Sequence, residues 1–169
     1  MHSGLNGGSA PDTDSAAFAT VLQAEHDALG AFISLLQAEQ EILVHGDADR
    51  LAAIAPEKAA QIDLLTRLGQ KRDRYLTQHD LALSAAGVET WLSQHAAIAP
   101  VARKIWRELL RRAEMARQLN ADNGLLIENK MQQNRQKLSV LQSAVGSDHT
   151  YRADGQFGAF RGGRSIGQV

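Results

Sequence analysis

The chain has 169 residues and no cysteine, and its 18 lysines and arginines are balanced by 19 aspartates and glutamates. A formal net charge of −1 argues against a dedicated nucleic-acid-binding protein, in which basic residues dominate, and the lack of cysteine excludes disulfides and thiolate metal sites. The sequence shows no signal peptide and no run of 18 apolar residues, so we expect a cytoplasmic protein without membrane insertion.

The first predicted helix follows a lead-in, residues 1–14, which is rich in Gly, Ser, Asp and Pro and is expected to be flexible. The helix begins near Ser15 and runs to about His45, because apolar residues recur at spacings of three, four and seven. These residues are Phe18, Leu22, Leu29, Phe32, Leu36 and Leu43. Gly46 suits the left-handed position that ends a helix, and Asp47 can cap the next one.

The sequence of the middle of the chain predicts shorter helices. A short helical segment precedes Pro56. Pro56 itself suits the first turn of a second helix, where the missing N–H is not needed, and this helix runs to about His79. After a loop with the sequence DLALSAAG, a short helix presents Trp91 and Leu92 for packing, and a long helix begins at Pro100.

The long helix contains an Asn-Gly pair, Asn123 and Gly124, which more often marks a turn. A spacing of three and four nevertheless continues in phase from Val101 to Val145, whereas a turn would normally reset it. We therefore predict one helix to about Val145, followed by a Gly-rich, disordered tail at 147–169. The predicted fold is all-α: an elongated antiparallel helical hairpin or bundle over residues 15–146, with a long C-terminal helix and disordered termini.

The predicted helix lengths leave part of the last helix uncovered. At about 1.5 Å per residue the first two helices are roughly 45 and 36 Å long and the last roughly 70 Å, so roughly 15 to 20 of its residues extend past the others. This end carries the apolar residues Ile127, Met131, Leu138, Leu141 and Val145. An exposed apolar surface of this kind is typical of a binding site for a partner helix, although the short helices could cover it or a homodimer could close it.

A polar seam is predicted along the first and last helices. Glu25 and Glu39 on the first helix, with Asn120, Asn123 and Asn134 on the last, are candidates for cross-helix hydrogen bonds that fix the helix register. Gly124 would let another backbone or a bulky side chain approach closely. We interpret the seam as structural, because no nucleophile, base or metal ligand accompanies these residues and buried carboxylates need such hydrogen-bond partners.

The sequence contains no recognisable enzyme or cofactor motif. Di-iron helical bundles use Glu-x-x-His, which is absent here, and the six histidines are scattered. There is no phosphate-binding glycine-rich loop, no nucleophile elbow and no zinc-ligand spacing. We therefore expect a protein that is not an enzyme and that has neither a metal nor a cofactor.

A basic surface is predicted on the first part of the long helix, where only Glu108 and Glu114 are acidic. Its basic residues are Arg103, Lys104, Arg107, Arg111, Arg112 and Arg117. Such a surface is either solvated or binds an acidic partner. The tail sequence FRGGRS is similar to the RGG segments of RNA-binding proteins, but one copy in a near-neutral chain does not predict a nucleic-acid partner.

Three blocks of the chain resemble the FlgN family, the cytoplasmic type III export chaperones of the flagellar hook-associated proteins. The block at 35–76 is similar to the family's leucine-rich helix with an inner glutamate, a Gly-Asp break, a lysine and an arginine. The corresponding residues are Glu39, Gly46, Asp47, Lys58 and either Arg72 or Arg74.

The second and third blocks lie in the C-terminal half. The block at 105–131 is similar to the family's Asn-x-x-Asn-Gly helix, with Asn120, Asn123 and Gly124 at the core and Leu126 or Ile127 in the apolar pair that follows. The sequence TYRADGQ is similar to a Tyr-Gly-x-x-Gly element, although Arg152 stands where the family usually has glycine.

The resemblance implies an elongated all-helical bundle that binds the C-terminal helical segments of the hook-associated proteins FlgK and FlgL. In the family, the C-terminal part of the last helix binds these clients. The corresponding residues are Leu125, Leu126, Ile127, Met131, Leu138, Leu141 and Val145. The resemblance also implies that Tyr151, with Gly155, docks on the export-gate protein FlhA, and that components of the export ATPase complex are further partners.

Two other functions are compatible with the sequence pattern. A homo-oligomeric coiled-coil scaffold or adaptor without an exported client would use the same apolar surface for self-association. A helical RNA- or nucleoid-associated protein would use the basic surface and the tail, and its binding would be strongly salt-sensitive.

Overall fold

A computed structural model describes residues 13–148 and the side chains of residues 15–144. It contains α1 (Thr13–His45), α2 (Ala48–Gln78), α3 (Ala85–Gln94) and α4 (Ala99–Asp148). No strand occurs in this part of the chain, so the all-α prediction is confirmed. The predicted lead-in up to residue 12 and the predicted tail from residue 149 lie outside the described residues.

The chain divides into two compact units, Met1–Ile127 and Glu128–Val169, with the boundary inside α4. Among the described residues, unit one contains α1, α2, α3 and the first part of α4. Unit two contains the last part of α4. The hydrophobic core clusters of the described chain belong to unit one.

The helices α1 and α2 form an antiparallel hairpin. The turn between them places Gly46 at a φ of 77°, the left-handed conformation that glycine adopts without steric cost. The Asp47 side chain then accepts a 3.0 Å hydrogen bond from the Arg50 backbone N–H and caps α2. These two residues act as the sequence predicted.

Two hydrogen bonds define how α4 runs along α1. Arg112 donates to the His26 carbonyl at 3.1 Å, and Asn123 donates to the Leu36 carbonyl at 2.8 Å. Residue numbers thus increase together along the two helices, so α4 runs parallel to α1 and antiparallel to α2.

An aromatic cluster holds α3 against the long helices. The Phe18 and Tyr75 rings stack with centroids 4.2 Å apart, and Trp91 of α3 meets Phe18 edge to face at 4.5 Å. The Trp91 indole N–H donates to the Tyr75 hydroxyl at 3.1 Å, which satisfies a buried polar group. The buried residues around these rings are Leu22, Leu76, Val88, Leu92, Ala102, Trp106 and Leu109. A second cluster contains Leu29, Phe32, Ile33, Leu36 and Ala116.

The prediction that a new helix begins at Pro56 is wrong, because α2 is continuous from Ala48 to Gln78 with Pro56 inside it. An interior proline removes one helical hydrogen bond and crowds the carbonyl four residues earlier, at a cost of about 3 kcal/mol. Tertiary contacts beyond the proline favour the continuous helix: Lys58 and Gln61 bind α1, and Leu65 packs against the second core cluster.

The helix predicted to pass through the Asn-Gly pair is confirmed, since α4 extends unbroken from Ala99 to Asp148. It ends three residues later than predicted. The helix α3 begins at Ala85, within the segment predicted as a loop.

Candidate functional site

The centre of the polar seam is the Glu39 carboxylate, whose residue is only 5% exposed. Lys58 of α2 donates to both carboxylate oxygens, at 2.9 and 2.7 Å. Asn123 of α4 donates to Oε2 at 2.8 Å and also to the Leu36 carbonyl. One carboxylate of α1 therefore joins three helices, and its hydrogen bonds are of the kind that a buried charge requires.

A second, partly buried ion pair links α1 to α2 at Glu25. The Arg72 guanidinium donates to Glu25 Oε1 and to Asp73 Oδ1, the latter at 3.2 Å. Burial raises the pKa of the Glu25 carboxyl above its ordinary value, and the charge and hydrogen bond of Arg72 oppose this rise. Arg74 instead donates to the Gln70 carbonyl within α2, so Arg72 is the arginine of the two that pairs across helices.

Three predicted members of the seam, Asn120, Gly124 and Asn134, are exposed. Asn120 is exposed, because the inward-facing line of α4 passes through Ala116, Leu119 and Asn123. Gly124 is also exposed, and a methyl group built on it would meet no atom within 4 Å. The expected close approach at Gly124 is therefore not present among the described residues.

Gln61 belongs to the α1–α2 interface, although the sequence analysis did not select it. Its side-chain amide donates a 2.7 Å hydrogen bond to the Ala28 carbonyl. Gln61 lies three residues after Lys58 and four before Leu65, so all three share one face of α2. Its position on this inward face was the signal that could have identified it.

The predicted client-binding residues of unit one are the apolar group at 125–127. Leu125 is 60% exposed, whereas Leu126 and Ile127 are half-buried. They follow Asn123 directly on α4.

The predicted client-binding residues of unit two are more exposed. Met131, Leu138 and Leu141 expose 49%, 58% and 61% of their surfaces, and every side chain at 131–144 is exposed. Their spacing of seven and three places these three residues on one side of α4. Val145 lies in α4, but its side chain is outside the described part.

A metal-binding cluster and a membrane-spanning helix are both absent from the described residues. No group of three or more His, Asp or Glu side chains comes together among them as a metal site would need. No described helix is long and apolar enough to cross a membrane. Tyr151 and Gly155, predicted to dock on the export gate, lie outside the described residues.

Comparison with known protein families matches residues 14–157 to the family described as FlgN protein. The matched range takes in almost all of the four helices and also Tyr151 and Gly155. Searches of curated proteins and of solved structures gave no significant match.

Proposed function

Because the chain belongs to the FlgN family and is a flagellar export chaperone, we propose that its clients are the hook-associated proteins FlgK and FlgL. The protein binds their C-terminal helical segments in the cytoplasm and delivers them to the flagellar type III export apparatus. Family membership supports the chaperone role. The client identities rest on the sequence resemblance and on the surface described next.

The exposed apolar side of α4 in unit two is the observation that carries this proposal. Met131, Leu138 and Leu141 are half or more exposed, although burying a leucine or methionine side chain is worth about 1.5–3 kcal/mol. Large exposed apolar surfaces usually mark sites of protein interaction. An amphipathic client helix that presents its own apolar residues at spacings of three and four can cover this surface.

The same contact explains how such a protein would act as a chaperone. The apolar face of a client helix is an aggregation hazard until the client is assembled, and α4 would shield it by pairing helix with helix. Release needs only a competing interaction at the export apparatus. No nucleotide site is required for binding and hand-over of this kind.

Calorimetric titration of the full-length protein with the C-terminal segments of FlgK and FlgL from the same organism tests the proposal. We expect saturable binding to the wild-type protein. Leu138→Asp and Leu141→Asp each place a charge on the apolar side of α4 and should weaken binding at least about tenfold, or about 1.4 kcal/mol.

The matched control is Gln132→Asp, which introduces the same charge on the same helix; Gln132 lies six residues before Leu138 and nine before Leu141, so it faces away from both. This variant should bind like the wild type, and far-UV circular dichroism should show native helicity in all three variants. If Leu138→Asp and Leu141→Asp both bind normally, α4 does not use this surface for its clients.

The half-buried residues Leu126 and Ile127, with the exposed Leu125, are assigned to the client as well. Truncation of the chain after Leu126 removes the remainder of α4 and should abolish binding of both segments. A well-folded full-length protein that binds neither segment would contradict the assignment of FlgK and FlgL as clients.

Docking on the export gate is assigned to Tyr151 together with Gly155, which follows from the family's Tyr-Gly-x-x-Gly element. The chaperone–client complex should bind the cytoplasmic domain of FlhA, and Tyr151→Ala should weaken this binding without affecting the client. Phe160→Ala, another aromatic residue of the same segment, is the control. Components of the export ATPase complex are the further partners to test by the same assay.

Self-association through the same surface defines the alternative function, a homo-oligomeric scaffold. Sedimentation velocity over a range of protein concentrations distinguishes the two. A monomer that binds client supports the chaperone assignment. Concentration-dependent assembly that Leu138→Asp abolishes, without client binding, would instead support the scaffold.

A further inference from the structure

An open cavity of about 350 Å³ lies within unit one, beside the start of α3. Its walls combine apolar side chains from three helices with the Glu25–Arg72 ion pair; the apolar residues are Leu29 of α1, Leu65 of α2, and Leu109 with Leu110 of α4. Leu110 is 42% exposed, so part of the apolar wall faces solvent.

The position of α3 indicates which kind of occupant the cavity fits. The helix α3 has only 10 residues and packs on the long helices through Val88, Trp91 and Leu92. Ser84 and Ala85, at its N-terminal end, line the cavity. The cavity therefore continues the layer that α3 begins on α1, α2 and α4, and a second helix would extend that layer.

The α4 edge of the cavity is positively charged. Arg103 and Arg107 precede Leu110 by seven and three residues, so they share its side of α4. Both are exposed, as is Lys104, and no carboxylate among the described side chains lies within 4.0 Å of any of the three. Arg111 and Arg117, by contrast, are paired with Glu108 and Glu114.

We propose that this cavity is a second docking site, which binds an amphipathic helix of a partner protein that carries acidic residues along one edge. The apolar residues of that helix pack on Leu65, Leu109 and Leu110. Its carboxylates lie beside Arg103 and Arg107, where opposite charges favour association. The site belongs to unit one and does not depend on the assignment of FlgK and FlgL to unit two.

Two synthetic amphipathic peptides test this site by calorimetric titration into the full-length protein. Both carry leucines at spacings of three and four, and the flanking positions are glutamates in one peptide and lysines in the other. The acidic peptide should bind saturably and more weakly as salt increases, because rim charges are screened. The basic peptide should bind at least about tenfold more weakly.

Matched variants locate the binding. Leu110→Asp and the double variant Arg103→Glu/Arg107→Glu should each weaken binding of the acidic peptide at least about tenfold. Met115→Asp changes another exposed apolar residue of α4, and Lys71→Glu/Arg74→Glu reverses two exposed charges on α2. Both controls should bind like the wild type, with native far-UV circular dichroism throughout.

Three results would overturn the proposal: no saturable binding of the acidic peptide, equal binding of both peptides, or equal losses in the controls. Self-association of the protein that Leu110→Asp abolishes would also overturn it, because the occupant would then be a second copy of this chain. Binding of the FlgK and FlgL segments should be unchanged in Leu110→Asp, so failure here is distinguishable from failure of the client assignment.

Discussion

Asn123 of α4 donates a 2.8 Å hydrogen bond to the Oε2 atom of Glu39 in α1. The same oxygen lies 2.7 Å from the ammonium group of Lys58 in α2. Glu25 and Arg72 make a second cross-helix ion pair about four turns away along α1. Two polar contacts at separate levels therefore hold α1 and α2 in one register, since a shift of either helix would leave buried charges unpaired.

Removing the Asn123 side chain should destabilise the fold. In Asn123→Ala the Glu39 carboxylate and the Leu36 carbonyl each lose a buried donor, so we expect the free energy of unfolding to fall by about 1–3 kcal/mol. Urea unfolding followed by circular dichroism measures this change. Asn120→Ala removes the same side chain one turn earlier, where it is exposed, and should change stability by no more than about 0.5 kcal/mol. Equal effects of the two substitutions would contradict the seam.

Lys58 should contribute to stability through Glu39 and not through its own charge alone. Lys58→Met keeps the length of the side chain but leaves the buried Glu39 with Asn123 as its remaining donor. We expect a loss of about 1–3 kcal/mol, less than for a fully buried pair because the Lys58 side chain is 19% exposed. Lys71→Met, on the exposed side of α2, is the control. A loss of similar size in the control would show that net charge, not the pair, is responsible.

Glu25 should make stability depend on pH in a direction that its environment determines. Burial raises the pKa of its carboxyl in the folded state above the ordinary 4.5. At a pH between the ordinary pKa and the raised pKa, the folded protein therefore binds more protons than the unfolded chain. The contribution of Glu25 to stability is therefore largest below pH 4.5 and falls as pH rises through the raised pKa.

Comparison of the wild type with Glu25→Gln, which does not titrate, isolates this effect. The stability of the wild type relative to the variant should decrease from pH 4.5 toward pH 7, by at most about 1.4 kcal/mol per pH unit. Urea unfolding of both proteins across this range measures the difference. If the stability difference between the two proteins stays constant, or if the wild type gains stability relative to the variant as pH rises, pairing with Arg72 outweighs burial.

Helical periodicity was sufficient to predict the long elements and part of the seam. The unbroken spacing through Asn123 predicted one continuous α4, and polar residues on apolar faces identified Glu25, Glu39 and Asn123. Periodicity could not show that Asn120 is exposed. The spacing of residues identifies one side of a helix, but not which residues on that side a neighbouring helix covers. The choice between Arg72 and Arg74 likewise depended on the α1–α2 packing, which only the tertiary structure supplies.

Pro56 and Gly124 show where local preference misleads. Proline favours a helix start, but contacts of Lys58 and Gln61 with α1 keep α2 continuous through it. Glycine often marks a close approach, yet Gly124 faces open space. In both cases the residue type indicates which backbone conformations and contacts are possible, and the packing of the helices determines which of them form.

Two glycines in helices should respond in opposite ways to substitution by alanine. A methyl group on Gly87 of α3 would overlap the Ala82 carbonyl oxygen, so the backbone before α3 has to shift. We expect Gly87→Ala to lower the free energy of unfolding by about 1–3 kcal/mol, the usual cost of overpacking. Gly124→Ala meets no atom and gains helix propensity, so it should raise stability by up to about 1 kcal/mol. Thermal unfolding of the two variants beside the wild type checks both directions. If Gly87→Ala is as stable as Gly124→Ala, the connection before α3 is free to move, and α3 is held by the packing of Val88, Trp91 and Leu92 on the long helices.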